Sequence, residues 1–209
     1  MTGMEPPSLE ASAGQGRQAE LNLVARIRAG DAAAFDIVYA EYNVRLFNFL
    51  ARLSRRREVA EDLLDETWLR FVDRAAKLRP DTQLGPFLFT VARNLYISYC
   101  RSRMLEDAQS AEAIGLWPLG SPSPSPFDAT VANETGRRLD EAIAALPAAH
   151  REALLLVAVE GMTPTEAAAI CGITPEAMRQ RLSRARAVVA RQLEEVDHPV
   201  LVALKAVTP

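Results

Sequence analysis

The dipeptide Thr-Pro stands at 163–164 and again eleven residues later at 174–175, and this repetition constrains the fold of the chain strongly. Threonine is a preferred helix N-cap and proline fits the first helical position, so each dipeptide predicts the start of a helix. Glu166 follows the first threonine by three residues and completes a capping-box pattern. Gly172 permits the left-handed conformation that a tight turn needs. Residues 163–191 are therefore predicted to form a helix-turn-helix.

The second of these helices is rich in arginine, although the formal net charge of the chain is -3. DNA binding must therefore come from a local basic patch. Residues with alternating spacings of four and three are predicted to face the core, namely Met178, Leu182, Ala185 and Val189. The opposite side is predicted to carry Arg179, Gln180, Ser183 and Arg186, with Arg181 and Arg184 on its flanks. Arginine forks suit guanine edges and phosphates, so these six side chains are the predicted contacts to a DNA major groove. The alternative is a solvated amphipathic helix in a bundle, which the capped starts and the glycine turn disfavour.

A proline-rich and acidic stretch divides the chain into two bodies. Residues 117–127 read WPLGSPSPSPF, and alternating Ser-Pro favours a semi-extended spacer. Residues 104–136 contain no Lys or Arg and are predicted to be an acidic linker. It joins an N-terminal body at 20–103 to a C-terminal body at 137–196. The remaining segments are predicted to be tails, a disordered one at 1–19 and another at 197–209.

Both bodies are predicted to be all-α, because apolar residues recur every three or four positions and no stretch alternates long enough for a strand. A short helix at 21–28 precedes one that Asp31 caps. The apolar stripe of this capped helix consists of Phe35, Val38, Tyr39, Tyr42, Leu46, Phe49, Leu50 and Leu53. The next helix carries Val59, Leu63, Leu64, Trp68, Phe71 and Val72, and a third begins near Pro86. The C-terminal body adds helices at about 137–146 and 148–159 before the helix-turn-helix.

Three stretches in this order resemble the extracytoplasmic-function (ECF) sigma factors, the small two-domain class of bacterial transcription initiation factor. AEDLLDETWLRFV at 60–72 resembles the helix with which the family binds core RNA polymerase. LGPFLFTVARNLYISYCRSR at 84–103 resembles the helix that opens and reads the −10 promoter element. Residues 139–193 resemble the domain that reads the −35 element. The resemblance implies a promoter-specific initiation factor that binds core RNA polymerase and promoter DNA and is held inactive by a cognate anti-sigma factor.

The first stretch is predicted to carry the polymerase-binding surface. Its acids share a predicted solvent-facing side, and an aromatic and a leucine lie beside them: Asp62, Asp65, Glu66, Trp68 and Leu69. Exposed acids beside apolar surface suit a basic helical partner, which in the family is the coiled-coil clamp of the largest polymerase subunit. A merely solvated acidic face is the alternative.

The second stretch combines arginines with aromatic residues, as single-stranded nucleic acid requires. The predicted contacts to the −10 element are Arg93, Asn94, Tyr96, Tyr99, Arg101 and Arg103. Strand opening needs a pocket that holds an unstacked base, and the resemblance assigns part of that pocket to Asn94. For Tyr96 and Tyr99, packing in the core is an equally weighted alternative.

The sequence offers no catalytic constellation, metal-ligand spacing, cofactor motif or small-molecule site. Cys100 and Cys171 lack CxxC neighbours and suit a reduced, cytoplasmic protein, and no apolar run is long enough to insert into a membrane. Three other classes of protein remain open. A dimeric helix-turn-helix regulator would have no use for the acidic strip, a sigma mimic that titrates an anti-sigma factor could dispense with the basic faces, and an enzyme is the least supported.

Overall fold

The computed structural model describes residues 9–109 and 134–194, which form helices joined by short turns and loops and contain no strand. The all-α prediction is therefore confirmed. The helices are α1 Leu9–Arg28, α2 Ala32–Ser54, α3 Arg57–Arg74, α4 Leu84–Gln109, α5 Glu134–Ala145, α6 Ala148–Leu154, α7 Pro164–Cys171 and α8 Pro175–Glu194. A 3-10 turn, Ala75–Lys77, follows α3, and a π-helical turn, Leu155–Val159, continues α6. We call α1–α4 the N-terminal body and α5–α8 the C-terminal body.

The N-terminal body packs α2, α3 and α4 around an aromatic core. The Asp31 carboxylate accepts hydrogen bonds from the backbone N–H groups of Ala33 and Ala34, so the predicted cap of α2 is confirmed. Most of the predicted apolar stripe of α2 is buried. Phe71 of α3 is fully buried, and the ring centroid of Phe35 on α2 lies 6.1 Å from that of Phe71 and 5.7 Å from that of Trp68. These contacts fix α3 against α2.

The N-terminal segment and the linker ends are more helical than predicted. Helix α1 begins at Leu9, so the predicted disordered tail is wrong for residues 9–19. The end of this segment is anchored, because the Arg17 guanidinium donates to Glu20 and to the carbonyl of Asp81. Glu20 in turn accepts from the backbone N–H of Leu84 at the start of α4.

The predicted linker at 104–136 is helical at both of its ends. Helix α4 continues to Gln109 and α5 begins at Glu134, because neither end contains a proline that would stop a helix. Residues 110–133, which include the Ser-Pro repeat, lie outside the described residues. So do residues 1–8 and 195–209, on which the rest of the predicted tails falls.

The C-terminal body has the predicted helix-turn-helix. Thr163 and Glu166 form the capping box reciprocally, with each side chain accepting from the other residue's backbone N–H. Gly172 adopts φ 65°, ψ 38° and ends α7 in the left-handed conformation. The Thr174 hydroxyl accepts from Ala177 N–H and caps α8. Local sequence chemistry therefore sets the geometry of the turn.

The two bodies pack directly against each other. Helix α4 contacts α7, α2 contacts α6, and buried side chains from both bodies form one continuous apolar core. Arg45, Arg52 and Arg93 of the N-terminal body form ion pairs with acids of the C-terminal body. This contact was not predicted from the sequence, which indicated only two bodies and a connection.

Within residues 9–109 and 134–194, no helix is both long and apolar enough to cross a bilayer. The same residues contain no cluster of three or more His, Cys, Asp or Glu side chains that could hold a metal ion.

Candidate nucleic-acid and partner interfaces

Helix α8 presents a polar, basic face to solvent. Arg179, Gln180, Ser183 and Arg184 are exposed, whereas Met178 and Val189 on the opposite side are fully buried. Arg179 pairs with Glu176 at 2.7 Å within the helix, and both side chains are more than half exposed. An exposed pair of this kind contributes little and leaves the guanidinium accessible to a stronger anion. The face therefore has the charge and donors that a DNA groove requires.

Two arginines on α8 have the reverse of their predicted exposure. Arg184, predicted on a flank, is exposed, and Arg186, predicted opposite the core, is half-buried. Arg186 stands four residues after Leu182 and directly after Ala185, so the helical period places it beside the buried row. Its Nε is buried and has no hydrogen-bond partner among the described residues. Arg181 is also half-buried.

Helix α3 carries an exposed strip that is acidic at one end and apolar at the other. Asp62 and Asp65 are exposed and form no ion pair within the described part of the chain. Leu69 and Val72 continue the strip and are 62% and 54% exposed. Glu66 differs from the other acids, because it is half-buried and pairs with Arg70 at 2.8 Å. We call Asp62, Asp65, Leu69 and Val72 the α3 strip.

Trp68, by contrast, lies under the surface of this region. It is buried, and its indole N–H donates to the Asn43 side chain at 3.0 Å. Its ring supports Tyr39, whose centroid is 4.9 Å away and whose side chain is 43% exposed. The prediction that Trp68 adds exposed apolar surface is wrong, since the bulk of its ring fills the space between α2 and α3.

Sequence reasoning placed Tyr39 and Val72 in the core stripes, and the structure places both at the surface. Each lies at the edge of its stripe, next to an aromatic residue that is more deeply buried. The position of an edge residue depends on how closely the neighbouring helix approaches, which periodicity alone does not report. Together with the α3 strip, these side chains give the N-terminal body an apolar surface beside free carboxylates.

Helix α4 presents a second polar face. Asn94, Ser98 and Arg101 recur at spacings of four and three, and all three are exposed. Arg103 is exposed as well and Tyr99 is half-buried against the core, and these two residues lie four positions apart on the opposite side of α4. Asn94 and Arg101 therefore share one surface, which includes neither Tyr99 nor Arg103.

The other two predicted contacts of α4 face inward. Tyr96 is buried, its hydroxyl donates to the carbonyl of Leu53 at 3.1 Å, and burial raises the pKa of the phenol. Arg93 is half-buried and donates to Glu152 of α6 at 2.6 Å. Burial opposes the charge of Arg93, but the hydrogen bond that Arg93 donates to Glu152, the negative charge of Glu152 and the contact with Cys171 together outweigh it, so that the pKa of the guanidinium is raised. The core-packing alternative therefore holds for Tyr96 in this conformation.

The acidic residues that form ion pairs with the N-terminal body were not predicted from the sequence. Arg151 and Glu152 directly precede the apolar run from Ala153 to Val159, and both charged residues are buried. A charged pair within an apolar helix is a signal for a buried polar contact, because unpaired charges are rarely buried. Its partner on α4 could not be identified in this way, since the contact spans 59 residues of sequence.

Comparison with known proteins places this arrangement among transcription initiation factors. The family model "Sigma-70 region 2" matches residues 38–105, and "Sigma-70, region 4" matches residues 136–189. The chain is 33% identical over 172 residues to "RNA polymerase sigma factor CarQ" of Myxococcus xanthus, which covers 82% of this chain and 96% of that protein. It is also 33% identical over 165 residues to "ECF RNA polymerase sigma factor EcfG" of Rhodopseudomonas palustris, with coverage of 78% and 86%.

A solved structure has the same fold. It is that of the sigma factor RpoE in complex with the anti-sigma factor NepR from Bartonella quintana, which superposes with a TM-score of 0.64 at 26% identity. The superposition covers 78% of this chain and 98% of the other.

Proposed function

Because this chain belongs to the ECF sigma factor family, we propose that it binds core RNA polymerase and directs transcription from promoters with −35 and −10 elements. The observation that supports this most directly is the coexistence of three separate faces on one chain. These are the α3 strip, the polar face of α4 and the basic face of α8. An initiation factor needs all three, whereas a simple helix-turn-helix regulator needs the last alone.

The α3 strip is the proposed contact to core polymerase. Leu69 and Val72 supply apolar surface that is desolvated on binding, and Asp62 and Asp65 supply carboxylates that no arginine of the described chain neutralises. Such a surface fits an amphipathic, basic helical partner. Glu66 lies at its edge, and Trp68 supports it from beneath rather than contacting the partner.

Helix α8 is the proposed reader of the −35 element. Its exposed residues Arg179, Gln180, Ser183 and Arg184 lie within the N-terminal half and middle of the helix, the part that enters the major groove in helix-turn-helix proteins. Arg181 and Arg186 flank this face and are placed for phosphates rather than base edges.

Helix α4 is the proposed contact to the −10 element. Asn94 and Arg101 share its exposed face, while Tyr99 and Arg103 lie four positions apart on the other side of the helix and offer an aromatic edge and a guanidinium to an unstacked base and its phosphate. Arg93 can join them once its pair with Glu152 is released. We propose that this face holds the melted strand.

Two further parts of the proposal follow from the family. The chain acts in the cytoplasm as an initiation factor and not as an enzyme. It is regulated by an anti-sigma factor, as the relative solved with NepR is bound to one.

Reconstituted transcription tests the proposal. Core RNA polymerase with this protein should initiate at a cognate promoter, and Leu69→Ser should weaken core binding about tenfold, because it removes an exposed apolar contact from the strip. Val44→Ser is the matched control, since Val44 is 63% exposed on a different helix and Leu69 is 62% exposed. Failure of the wild type to bind core at micromolar concentration, or equal loss in both variants, would contradict the assignment.

A further inference from the structure

Helix α8 carries an acid within its proposed DNA-reading face. Glu176 lies in the first turn of the helix, and 69% of its side chain is exposed. Gln180 and Ser183 follow it at spacings of four and three, and both are exposed as well. Because these spacings match the helical period, the three residues form one row, which we call the central row. It lies opposite the buried side chains of Met178 and Leu182 and therefore occupies the middle of the face.

The exposed arginines of α8 lie on either side of the central row. Arg179 precedes Gln180 by one position and Arg184 follows Ser183 by one, so the helical turn directs their side chains away from the row in opposite directions. The positive charge of the face is therefore concentrated at its two margins. Its centre presents a carboxylate, an amide and a hydroxyl to the base edges of a major groove.

The carboxylate of Glu176 is not needed to cap the helix. The cap of α8 is Thr174, whose hydroxyl accepts from the backbone N–H of Ala177. In a capping box the acid stands three residues after the cap, as Glu166 does after Thr163, whereas Glu176 stands two residues after its cap. An acid in the first turn interacts favourably with the helix dipole, but this effect is small for a side chain that is mostly exposed. The fold of α8 therefore does not account for this residue.

A carboxylate on a DNA-reading face weakens binding unless a base donates a hydrogen bond to it. The phosphates that border the groove repel its negative charge. In the major groove the bases offer amine donors at two atoms only, N4 of cytosine and N6 of adenine. Adenine also presents the N7 acceptor beside its amine, which repels a carboxylate and suits an amide such as that of Gln180. Cytosine presents its amine alone and is therefore the base that fits Glu176.

Arg179 orients the carboxylate for such a contact. Its Nη2 donates to Oε1 of Glu176 at 2.7 Å, which restricts the rotamers of both exposed side chains. The positive charge beside the carboxylate also reduces its repulsion by phosphates. The second oxygen, Oε2, accepts no hydrogen bond within residues 9–109 and 134–194. An oriented carboxylate thus keeps one oxygen available for a base amine.

We propose that Glu176 is a specificity-determining residue, which selects a cytosine in the −35 element by accepting a hydrogen bond from its N4 amine. This inference rests on the proposed function of α8 as the reader of that element. Glu176 acts mainly by discrimination, because at any other base its carboxylate faces phosphates and base acceptors without a matching donor. The arginines at the margins supply affinity, and the central row supplies selectivity.

Selection from a pool of DNA duplexes with a fully randomised central segment tests the proposal. The full chain, assembled with core RNA polymerase, binds the pool, and the retained duplexes are sequenced. The wild type should enrich cytosine over each other base about tenfold at one position of the −35 element. Glu176→Ala should reduce that preference to about twofold or less and leave the other positions unchanged. Glu176→Gln should replace cytosine by adenine at the same position, because an amide accepts from N6 and donates to N7.

Glu141→Gln is the matched control, since Glu141 is an exposed acid of the same body that likewise pairs with an arginine of its own helix, Arg137. It should leave the preference at every position unchanged. If Glu176→Ala and Glu176→Gln strengthen binding to all sequences alike without altering any base preference, Glu176 acts through its charge alone and the inference is refuted. A cytosine preference that survives Glu176→Ala refutes the inference while the proposed function stands. A wild type that retains no duplex, or retains duplexes without sequence preference, overturns the proposed function of α8 together with the inference.

Discussion

The guanidinium Nε of Arg93 lies 2.6 Å from the Glu152 carboxylate, and this pair joins the helix that carries a proposed DNA face to the other body of the molecule. Only 17% of the Arg93 side chain and 8% of the Glu152 side chain are exposed. The pair is therefore shielded from solvent and differs in kind from the ion pairs at the surface, such as Arg57–Glu61. The pair therefore stabilises the packing of the two bodies against each other. It also determines whether the Arg93 guanidinium is free to bind DNA.

Glu152→Gln should lower the free energy of unfolding by about 2 kcal/mol, because it leaves the charge of Arg93 half-buried without a counter-ion. Urea unfolding followed by circular dichroism measures this. Glu141→Gln removes an exposed acid of the same body and should change stability by less than about 0.5 kcal/mol. Equal effects in the two variants would show that the Arg93–Glu152 pair is as weak as a surface pair.

Alanine substitutions on α8 should show that exposed arginines contribute more to DNA binding than a half-buried one does. Arg184→Ala and Arg179→Ala remove exposed guanidinium groups and should each weaken binding of the holoenzyme to the −35 element by about 1–3 kcal/mol. Arg186→Ala should weaken it less, since Arg186 lies partly beneath the surface. Fluorescence anisotropy with a labelled promoter fragment at two salt concentrations measures each effect. A loss for Arg186→Ala larger than that for Arg184→Ala would reverse the assignment of faces. A fall in core binding for Arg179→Ala would remove it from the DNA face altogether.

The sequence predicted those parts of the structure that depend on neighbouring residues. The caps at Asp31, Thr163 and Thr174 and the turn at Gly172 are local, and all four are observed. The contacts between the bodies are not local, as the Arg45–Glu160 pair shows with its separation of 115 residues. No pattern along the chain records which of many exposed arginines meets which acid.

The candidate faces show the same division between local and non-local information. The helical period correctly placed Asp62 and Asp65 on the surface of α3, because one helix determines which side its residues face. It did not distinguish Trp68, which is buried, from Leu69, which is exposed. That difference depends on the position of α2, whose Asn43 accepts a hydrogen bond from the indole. The neighbouring helix had to be placed before either residue could be assigned.

Arg151→Met should strongly destabilise the C-terminal body. The guanidinium donates to the carbonyls of Ile143, Ala144 and Leu146 around the end of α5, where a helix runs out of backbone N–H donors. Burial lowers the pKa of Arg151, but an arginine stays protonated at neutral pH, and its five donors cannot be replaced by a thioether. We expect a loss of about 3 kcal/mol in urea unfolding.

The charge-conserving variant tests the reason for that loss. Arg151→Lys keeps three donors on one ammonium group and should recover part of the stability, but not all of it, because the planar fork reaches acceptors in several directions. Full recovery would show that the positive charge matters and the geometry of the fork does not. No recovery would show that the packing of the side chain dominates.

The Cys171 thiol provides a test that depends on pH. Burial raises the pKa of Cys171 to about 12, whereas a cysteine in an unfolded chain titrates near about 8.5. Between these values the folded protein keeps a proton that the unfolded chain has lost, so the free energy of unfolding falls as the pH rises above about 8.5. At pH 9.5 the loss from this thiol should be about 1.4 kcal/mol.

Cys171→Ala removes this contribution to the pH dependence while leaving Cys100, Tyr42 and Tyr96 to titrate as before. Urea unfolding at pH 7.5 and 9.5 under reducing conditions should therefore show a larger decrease for the wild type than for the variant. Equal decreases would mean that the Cys171 thiol, which lies beside Arg93 of the other body, is open to water, and that the two bodies are not packed together over it in solution.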